Sequence, residues 1–431
     1  MRYAKLVLLA AACAASAADT GDDDASQSWY SASVPQATAD KLGAKCLGGG
    51  PPAYNFRLNP NSDKWILFLE GGGWCYGPDF NSTVASCRGR ASTAFATSAP
   101  AADGYGGVLS SNPAINPDFH TWNAVFIRYC DGASFGGART DPVPGDASHP
   151  GEIWLRGKNV FTAVIADLIA SRGMDAATEV ILSGGSAGGL AVFYNLDHLA
   201  TLLPPTTRLT GFPDAGFFLD GEDMRSGARG YRELFRSADA VWNVTGGGGT
   251  NAACLASYRA SGEQWRCLMA PYLAPFVATP MFVMNSAYDA WQLTNILGAE
   301  CVAEQSCDAA ANASVQAYRD QFVAAVANVT AGKPGNGVYV DSCYVHEQNL
   351  NYCSGQSMPN CVGWSPLESG SQKWGYRTSV SGADGAQLTP QQAFSRWYFG
   401  KGDTVTVDAL RFPANPSCTY HAPPSSSAAN L

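Results

Sequence analysis

After Ala18 this chain has no long apolar run. None of its later stretches reaches the roughly 18 or more consecutive apolar residues of a membrane-spanning helix, so stable membrane insertion is not expected. Positive charge is scarce too: 27 Lys and Arg stand against 36 Asp and Glu, a net charge of −9. No basic stripe exists to neutralise phosphates, which excludes nucleic acid as a partner. The five histidines are scattered and no C-x-x-C pair occurs, so the sequence offers no zinc site. Residues 40–420 contain no Pro/Ser-rich linker, internal repeat or charge block. One elaborated domain over residues 41–420 is therefore expected.

What is present starts with an export signal. In residues 1–18, Arg2 and Lys5 precede the apolar stretch Leu6 to Ala12, and Ala15-Ser16-Ala17 forms a small-residue cleavage site. Residues 19–40, with Asp22-Asp23-Asp24, read as a poorly ordered leader, and residues 421–431 as a flexible tail. Of 13 cysteines, Cys13 leaves with the signal, and 13 − 1 gives an even 12. In an exported chain that reads as a disulfide framework. Short spacings suggest pairing Cys75 with Cys87, Cys254 with Cys267, Cys301 with Cys307, and Cys353 with Cys361. That leaves Cys46 with Cys130 and Cys343 with Cys418; the sequence itself leaves the connectivity open. Sequons at Asn81, Asn243, Asn312 and Asn328 are glycosylation candidates on the same route. The expected location is extracellular or the cell wall.

The apolar runs 65–69, 124–129, 180–182, 281–284 and 338–340 are continuous rather than alternating. Helical periods separate several of them, one being Val160, Phe161, Val164, Ile165, Leu168 and Ile169. This pattern predicts a mostly parallel sheet covered by helices on both faces. Catalytic groups in such a sheet sit beyond the strand C-termini. Within Glu179–Leu203 an apolar strand runs into Gly184-Gly185-Ser186-Ala187-Gly188 and then a helix, the form of a nucleophile elbow. A second G-x-S-x-G, around Ser134, is followed by Pro142 and Pro144 with no helical period and reads as a loop.

Serine needs a base to take its proton. Among the histidines, His346 and His421 lie far enough along the chain, and His346 follows the strand at 338–340. His198, on the elbow helix, reads as structural. Asp289, just after the strand at 281–284, is placed to orient the imidazole, with Asp214, Asp220 and Asp341 as rivals. Backbone N–H groups of Ala187 and of the glycine loop at Gly72 and Gly73 would form an oxyanion hole. Trp74, Tyr129, Tyr288 and Trp291 are candidate substrate-lining residues, with Tyr76 and Phe135 nearby.

These segments, LEGGGWC (69–75), RYCDGASFGG (128–137), SGGSAGGLA (183–191), DAGFFLD (214–220), NSAYDAWQ (285–292) and DSCYVHEQ (341–348), resemble the pectin acetylesterase/Notum family of secreted serine carboxylesterases. The resemblance spans about Cys46 to Cys418. It implies an α/β-hydrolase-like fold and a triad of Ser186, Asp289 and His346. It also implies an oxyanion hole at Gly72, Gly73 and Ala187, with no metal or other cofactor. The implied substrate is an O-acetylated polysaccharide or another acyl ester, acted on by a monomer. Two alternatives are a Notum-like long-chain acyl esterase and an inactive secreted carbohydrate-binding protein on the same fold. Glu347 departs from the plant-type pattern, which has cysteine after the histidine.

Overall fold

In the computed structural model, residues 28–93, 105–146, 150–304, 306–350, 379–382, 385–402 and 404–418 are described. Residues 1–27 and 419–431, with His421, lie outside them. Eleven strands are present among the described residues: β1 Tyr30–Ser33, β2 Ala53–Arg57, β3 Lys64–Leu69, β4 Asn123–Ile127, β5 Glu179–Gly185, β6 Arg208–Asp214, β7 Phe282–Ser286, β8 Gly337–Asp341, β9 Val380–Ser381, β10 Gln387–Leu388 and β11 Val405–Val407. The helices are α1 Gln36–Leu42, α2 Phe80–Ala91, α3 Gly157–Ser171, α4 Ala187–Leu202, α5 Gly230–Trp242, α6 Ala252–Tyr258, α7 Ala270–Leu273, α8 Ala290–Asn295, α9 Ala309–Val326 and α10 Pro390–Tyr398.

Nine strands form one sheet in the order β1-β2-β4-β3-β5-β6-β7-β8-β11. From β4 to β11 every pairing is parallel, while the β1–β2 and β2–β4 pairings are antiparallel. The expected mostly parallel α/β architecture is what the chain adopts. In β3, Trp65, Leu67 and Leu69 join the larger core with α3 and α4, while Ile66 and Phe68 join a second core with Phe394 of α10. Successive side chains of a strand face opposite sides, so a run apolar at every position fits a sheet buried on both faces. That accounts for the continuous runs in the sequence.

Two expectations are corrected. Residues 19–40 do not all belong to an unstructured leader, because Tyr30–Ser33 pairs with β2 and Gln36–Leu42 is helical. The strand gains its ladder from Ala53–Phe56, a partner that propensity in the leader cannot reveal. Cys75 and Cys87 are not bridged: both are buried free thiols. The two thiols hydrogen-bond to each other, and burial, then that bond, push the Cys87 thiol far up. The disulfides among the described residues are Cys46–Cys130, Cys254–Cys267, Cys301–Cys307 and Cys343–Cys418. The expected bridge between Cys353 and Cys361 is not among them, since Cys353 and Cys361 both lie outside the described residues. All four sequon asparagines are exposed.

Candidate active site

Adjacent parallel strands β3, β5, β6, β7 and β8 deliver their C-terminal ends to one edge of the sheet, and the candidate residues follow those ends. Ser186 stands between β5 and α4 with φ 55° and ψ −122°, a conformation that costs a non-glycine residue energy and persists only where neighbours enforce it. Here the neighbours are specific. Ser186 N donates to Asp214 O at 3.0 Å, and Leu190 N donates to Ser186 O at 2.9 Å. Gly188 passes so close to the end of β3 that a Cβ there would collide with the Leu69 carbonyl oxygen.

The Ser186 hydroxyl lies 2.8 Å from His346 Nε2. On the other side of the ring, His346 Nδ1 lies 3.0 and 2.9 Å from the two Asp289 oxygens. Asp289 is fixed in turn: it caps α8 by accepting from Gln292 N at 2.9 Å, and Asn285 Nδ2 donates to its Oδ2 at 3.1 Å. A hydroxyl, an imidazole and a buried carboxylate in hydrogen-bonded sequence are the parts that general-base activation of a serine requires. The imidazole is 23% exposed while Asp289 is 1%, so the base meets solvent and its orienting acid does not.

The structure separates Asp289 from its rivals. Asp214 uses its carboxylate to accept from Gln348 N and Asn349 N at 2.5 and 2.7 Å. It thereby ties the His346 loop to the same residue whose carbonyl holds the elbow. Asp220 is paired with Arg232 and Tyr272. Asp341 accepts from Cys343 N and Gln348 Nε2. His198 hydrogen-bonds Thr162 at 2.9 Å, and burial lowers its pKa to about 4, which suits a neutral structural role.

In the glycine loop, Gly72 O accepts from Arg90 Nη1 at 2.7 Å and Gly73 O accepts from Tyr129 Oη at 2.8 Å. A trans peptide points its N–H opposite to its carbonyl, so tying Gly72 O to Arg90 turns the Gly73 N–H the other way. Gly73 lines the same concavity as Ser186 and Ala187, at the first turn of α4, where N–H groups lack intrahelical partners. Gly72 itself is exposed.

The concavity is walled by Trp74 and Tyr76 from the glycine loop, Phe218 from the segment after β6, Tyr231, Leu234 and Phe235 from α5, and Trp291 from α8. Its cavity volume is about 20 Å³. Two of the expected lining residues, Trp74 and Trp291, are here. Tyr129 and Tyr288 are not, since both are fully buried. Tyr129 acts behind the wall, donating to Gly73 O and accepting from Ser134 N at 2.9 Å. Tyr288 turns away and donates to Gln316 Oε1 at 2.6 Å. Ser134 is buried beneath Trp74, accepting its indole N–H at 2.6 Å. Phe218 and the α5 residues escaped the sequence reading. The spacing of Tyr231, Leu234, Phe235, Ala238, Val241 and Trp242 is an amphipathic helix signal that could have found them.

The carboxyls around His346 raise its basicity. Burial alone lowers the His346 pKa, but the Asp289 charge and hydrogen bond, with Glu347 and Asp214 close by, outweigh it and hold the value at about 9. Asp214 and Glu347 are both raised, burial being the first cause in each case. Among the described residues no group of His, Cys, Asp and Glu is placed to hold a metal ion.

Comparison with known proteins gives the family. The family model described as Pectinacetylesterase matches residues 31–419. The chain belongs to the pectinacetylesterase family. It is 34% identical over 391 residues to pectin acetylesterase 11 of Arabidopsis thaliana, covering 87% of this chain and 89% of that protein. It is 32% identical to pectin acetylesterase 7 of the same plant, with the same coverage. Palmitoleoyl-protein carboxylesterase NOTUM of Drosophila melanogaster is 33% identical over 274 residues, 61% of this chain and 39% of that protein. Membership makes the chain a carboxylic ester hydrolase.

Proposed function

We propose that this enzyme removes acetyl groups from an O-acetylated polysaccharide of the pectin type, through an acyl-enzyme on Ser186. His346 takes the Ser186 proton and later returns it to the leaving sugar hydroxyl, while Asp289 holds the tautomer and stabilises the imidazolium. The Gly73 and Ala187 N–H groups receive the negative charge on the carbonyl oxygen. A water activated by His346 then releases acetate. The pairing of four disulfides with the export-type leader supports action outside the cell.

The observation that supports the acyl reading is the narrow aromatic concavity beside Ser186. A space of about 20 Å³ holds a water or two, or a methyl group. A long acyl chain would have to displace Phe235, Tyr231 or Trp291, and would lose the roughly 0.8 kcal/mol per CH₂ that a preformed tunnel supplies. Coverage points the same way, because the pectin acetylesterases match over 87% of the chain and the NOTUM proteins over 58–62%.

The test is kcat/KM on p-nitrophenyl esters from acetate to palmitate, run beside acetate release from acetylated pectin and acetylated xylan. Acetate esters should be preferred, with acetate freed from at least the pectin. A rate that climbs with chain length, with no acetate from either polymer, would transfer the site to long-chain acyl esters. No turnover of any ester would leave a binding protein.

A further inference from the structure

Residues 71–74 leave β3 as irregular chain and run close past the nucleophile, since a Cβ built on Gly71 would fall 3.1 Å from Ser186 Cβ. Gly72 and Gly73 both have positive φ, 126° and 69°, where glycine alone is at ease. In such a segment the direction of each peptide is set by what holds its carbonyl.

The ties come from α2 and from residues 128–137, the segment that contains the second glycine–serine motif. Arg90, in the last turn of α2, donates from Nη1 to Gly72 O at 2.7 Å, and its guanidinium lies 4.6 Å from the centre of the Tyr129 ring. Tyr129 donates its hydroxyl to Gly73 O at 2.8 Å, and Cys75 N donates to Gly132 O at 3.0 Å. Gly132 makes room for this arrangement. A Cβ there would fall 2.5 Å from Cys75 Sγ and 3.3 Å from Arg90 Cδ. With Ser134 accepting the Trp74 indole N–H, the second motif serves as backing for the glycine loop.

We propose that Arg90 is a positioning residue of the ester hydrolysis, acting through the Gly72–Gly73 peptide on the oxyanion. This rests on Ser186 being the nucleophile of the proposed function. The guanidinium holds the Gly72 carbonyl toward α2, so the trans peptide turns the Gly73 N–H toward the concavity that Gly73 shares with Ser186 and Ala187. A cationic donor on the carbonyl also polarises the same peptide, which strengthens its N–H as a donor. The substrate oxygen carries full negative charge only after Ser186 has attacked, so the gain is larger in the transition state than in the bound substrate. Loss of Arg90 is therefore read in kcat rather than in KM.

The experiment measures kcat and KM for p-nitrophenyl acetate, and the inhibition constant of 1,1,1-trifluoroacetone, in the full-length protein, in Arg90→Gln and in Arg90→Lys. Ser186 Oγ adds to the ketone carbonyl carbon, its proton passes to His346, and the carbonyl electron pair moves onto oxygen. The adduct thus copies the oxyanion without turnover. In Arg90→Gln, kcat should fall by about 10- to 100-fold with KM within about threefold of the parent, and the inhibition constant should rise by the factor that kcat loses. Arg90→Lys keeps a cationic donor and should recover part of both losses. A lowered unfolding temperature with kcat and the inhibition constant unmoved, or equal losses in both variants, would make Arg90 a packing residue and overturn the proposal. Should Arg90→Gln fail to fold, a crystal structure of the parent's trifluoroacetone adduct decides. An oxyanion within hydrogen-bond distance of Gly73 N, with Arg90 still on Gly72 O, supports the proposal, and an oxyanion turned away from Gly73 overturns it. A parent that forms no adduct and hydrolyses no ester would defeat the proposed function and this proposal together, whereas an adduct indifferent to Arg90 would defeat this proposal alone.

Discussion

The two sides of the site are built differently. Ser186, Asp289 and His346 each follow the C-terminal end of a parallel strand, at β5, β7 and β8, so main-chain geometry places them. The aromatic wall that faces them rests on side chains from α5, α8 and the segments after β3 and β6. Strand ends are fixed by ladder hydrogen bonds that tolerate little drift. A wall of side chains is fixed by packing, which accepts substitutions of similar volume. On the proposed reading, chemistry is therefore anchored to topology, while acyl selectivity is open to change through a handful of residues.

The largest effect belongs to the anchored side. Ser186→Ala should lower kcat by about 10⁴- to 10⁶-fold with folding intact, since the alanine removes only the attacking oxygen. Ser134→Ala should leave the reaction running and instead cost about 1–3 kcal/mol of stability, because the Trp74 indole N–H loses its acceptor. A protein silenced by the second change and spared by the first would reverse the comparison.

Next comes Asp289→Asn, for which kcat should fall by about 10²- to 10⁴-fold with KM nearly unchanged. The amide cannot stabilise the imidazolium and invites the wrong tautomer. The same change should carry the acid side of the pH profile downward, as the charge that raises His346 is lost.

On the packed side, Phe235→Ala opens the wall next to Ser186. Butanoate and longer esters should gain about tenfold in kcat/KM relative to acetate for each methylene newly accommodated. Acetate turnover itself should fall only modestly. An unchanged chain-length profile would show that the wall does not set selectivity.

The smallest effect is expected at the junction of the two sides. Tyr129→Phe deletes the hydroxyl that donates to Gly73 O and accepts from Ser134 N. It should cost about 1–3 kcal/mol in thermal unfolding and lower kcat by about tenfold through a looser glycine loop.

The difference between the sides also explains what could be read in the sequence. β3, β4, β5, β7 and β8 announce themselves as continuous apolar runs, and residues after their ends could be located by counting along the chain. β6 could not: Arg208, Gly211 and Pro213 interrupt its sequence, yet it lies next to β5, and its last residue, Asp214, holds both the elbow and the His346 loop. Its strand state is imposed by neighbours, which overrides local propensity. Tyr129 and Tyr288 illustrate the opposite error. Their nearness in sequence to site residues is real, but each lies past the end of its strand, where its hydroxyl is drawn inward to Gly73 O or to Gln316 and the ring packs in the core. α5 carries a helical period that the sequence reading passed over, and its place as a wall is set only by the folded path of residues 215–229, which brings it over Ser186. Cys75 and Cys87 have the spacing of a local bridge and are buried together without forming one.

The most direct test of the account is to find where the acyl group goes. The protein is mixed with p-nitrophenyl acetate, quenched in acid within the pre-steady state, digested and mapped by mass spectrometry. A single acetyl group on Ser186, absent from Asp289→Asn protein quenched at the same time, is the predicted result. Acetyl on Ser134, or steady turnover with no acetyl on Ser186 at any time, would contradict it.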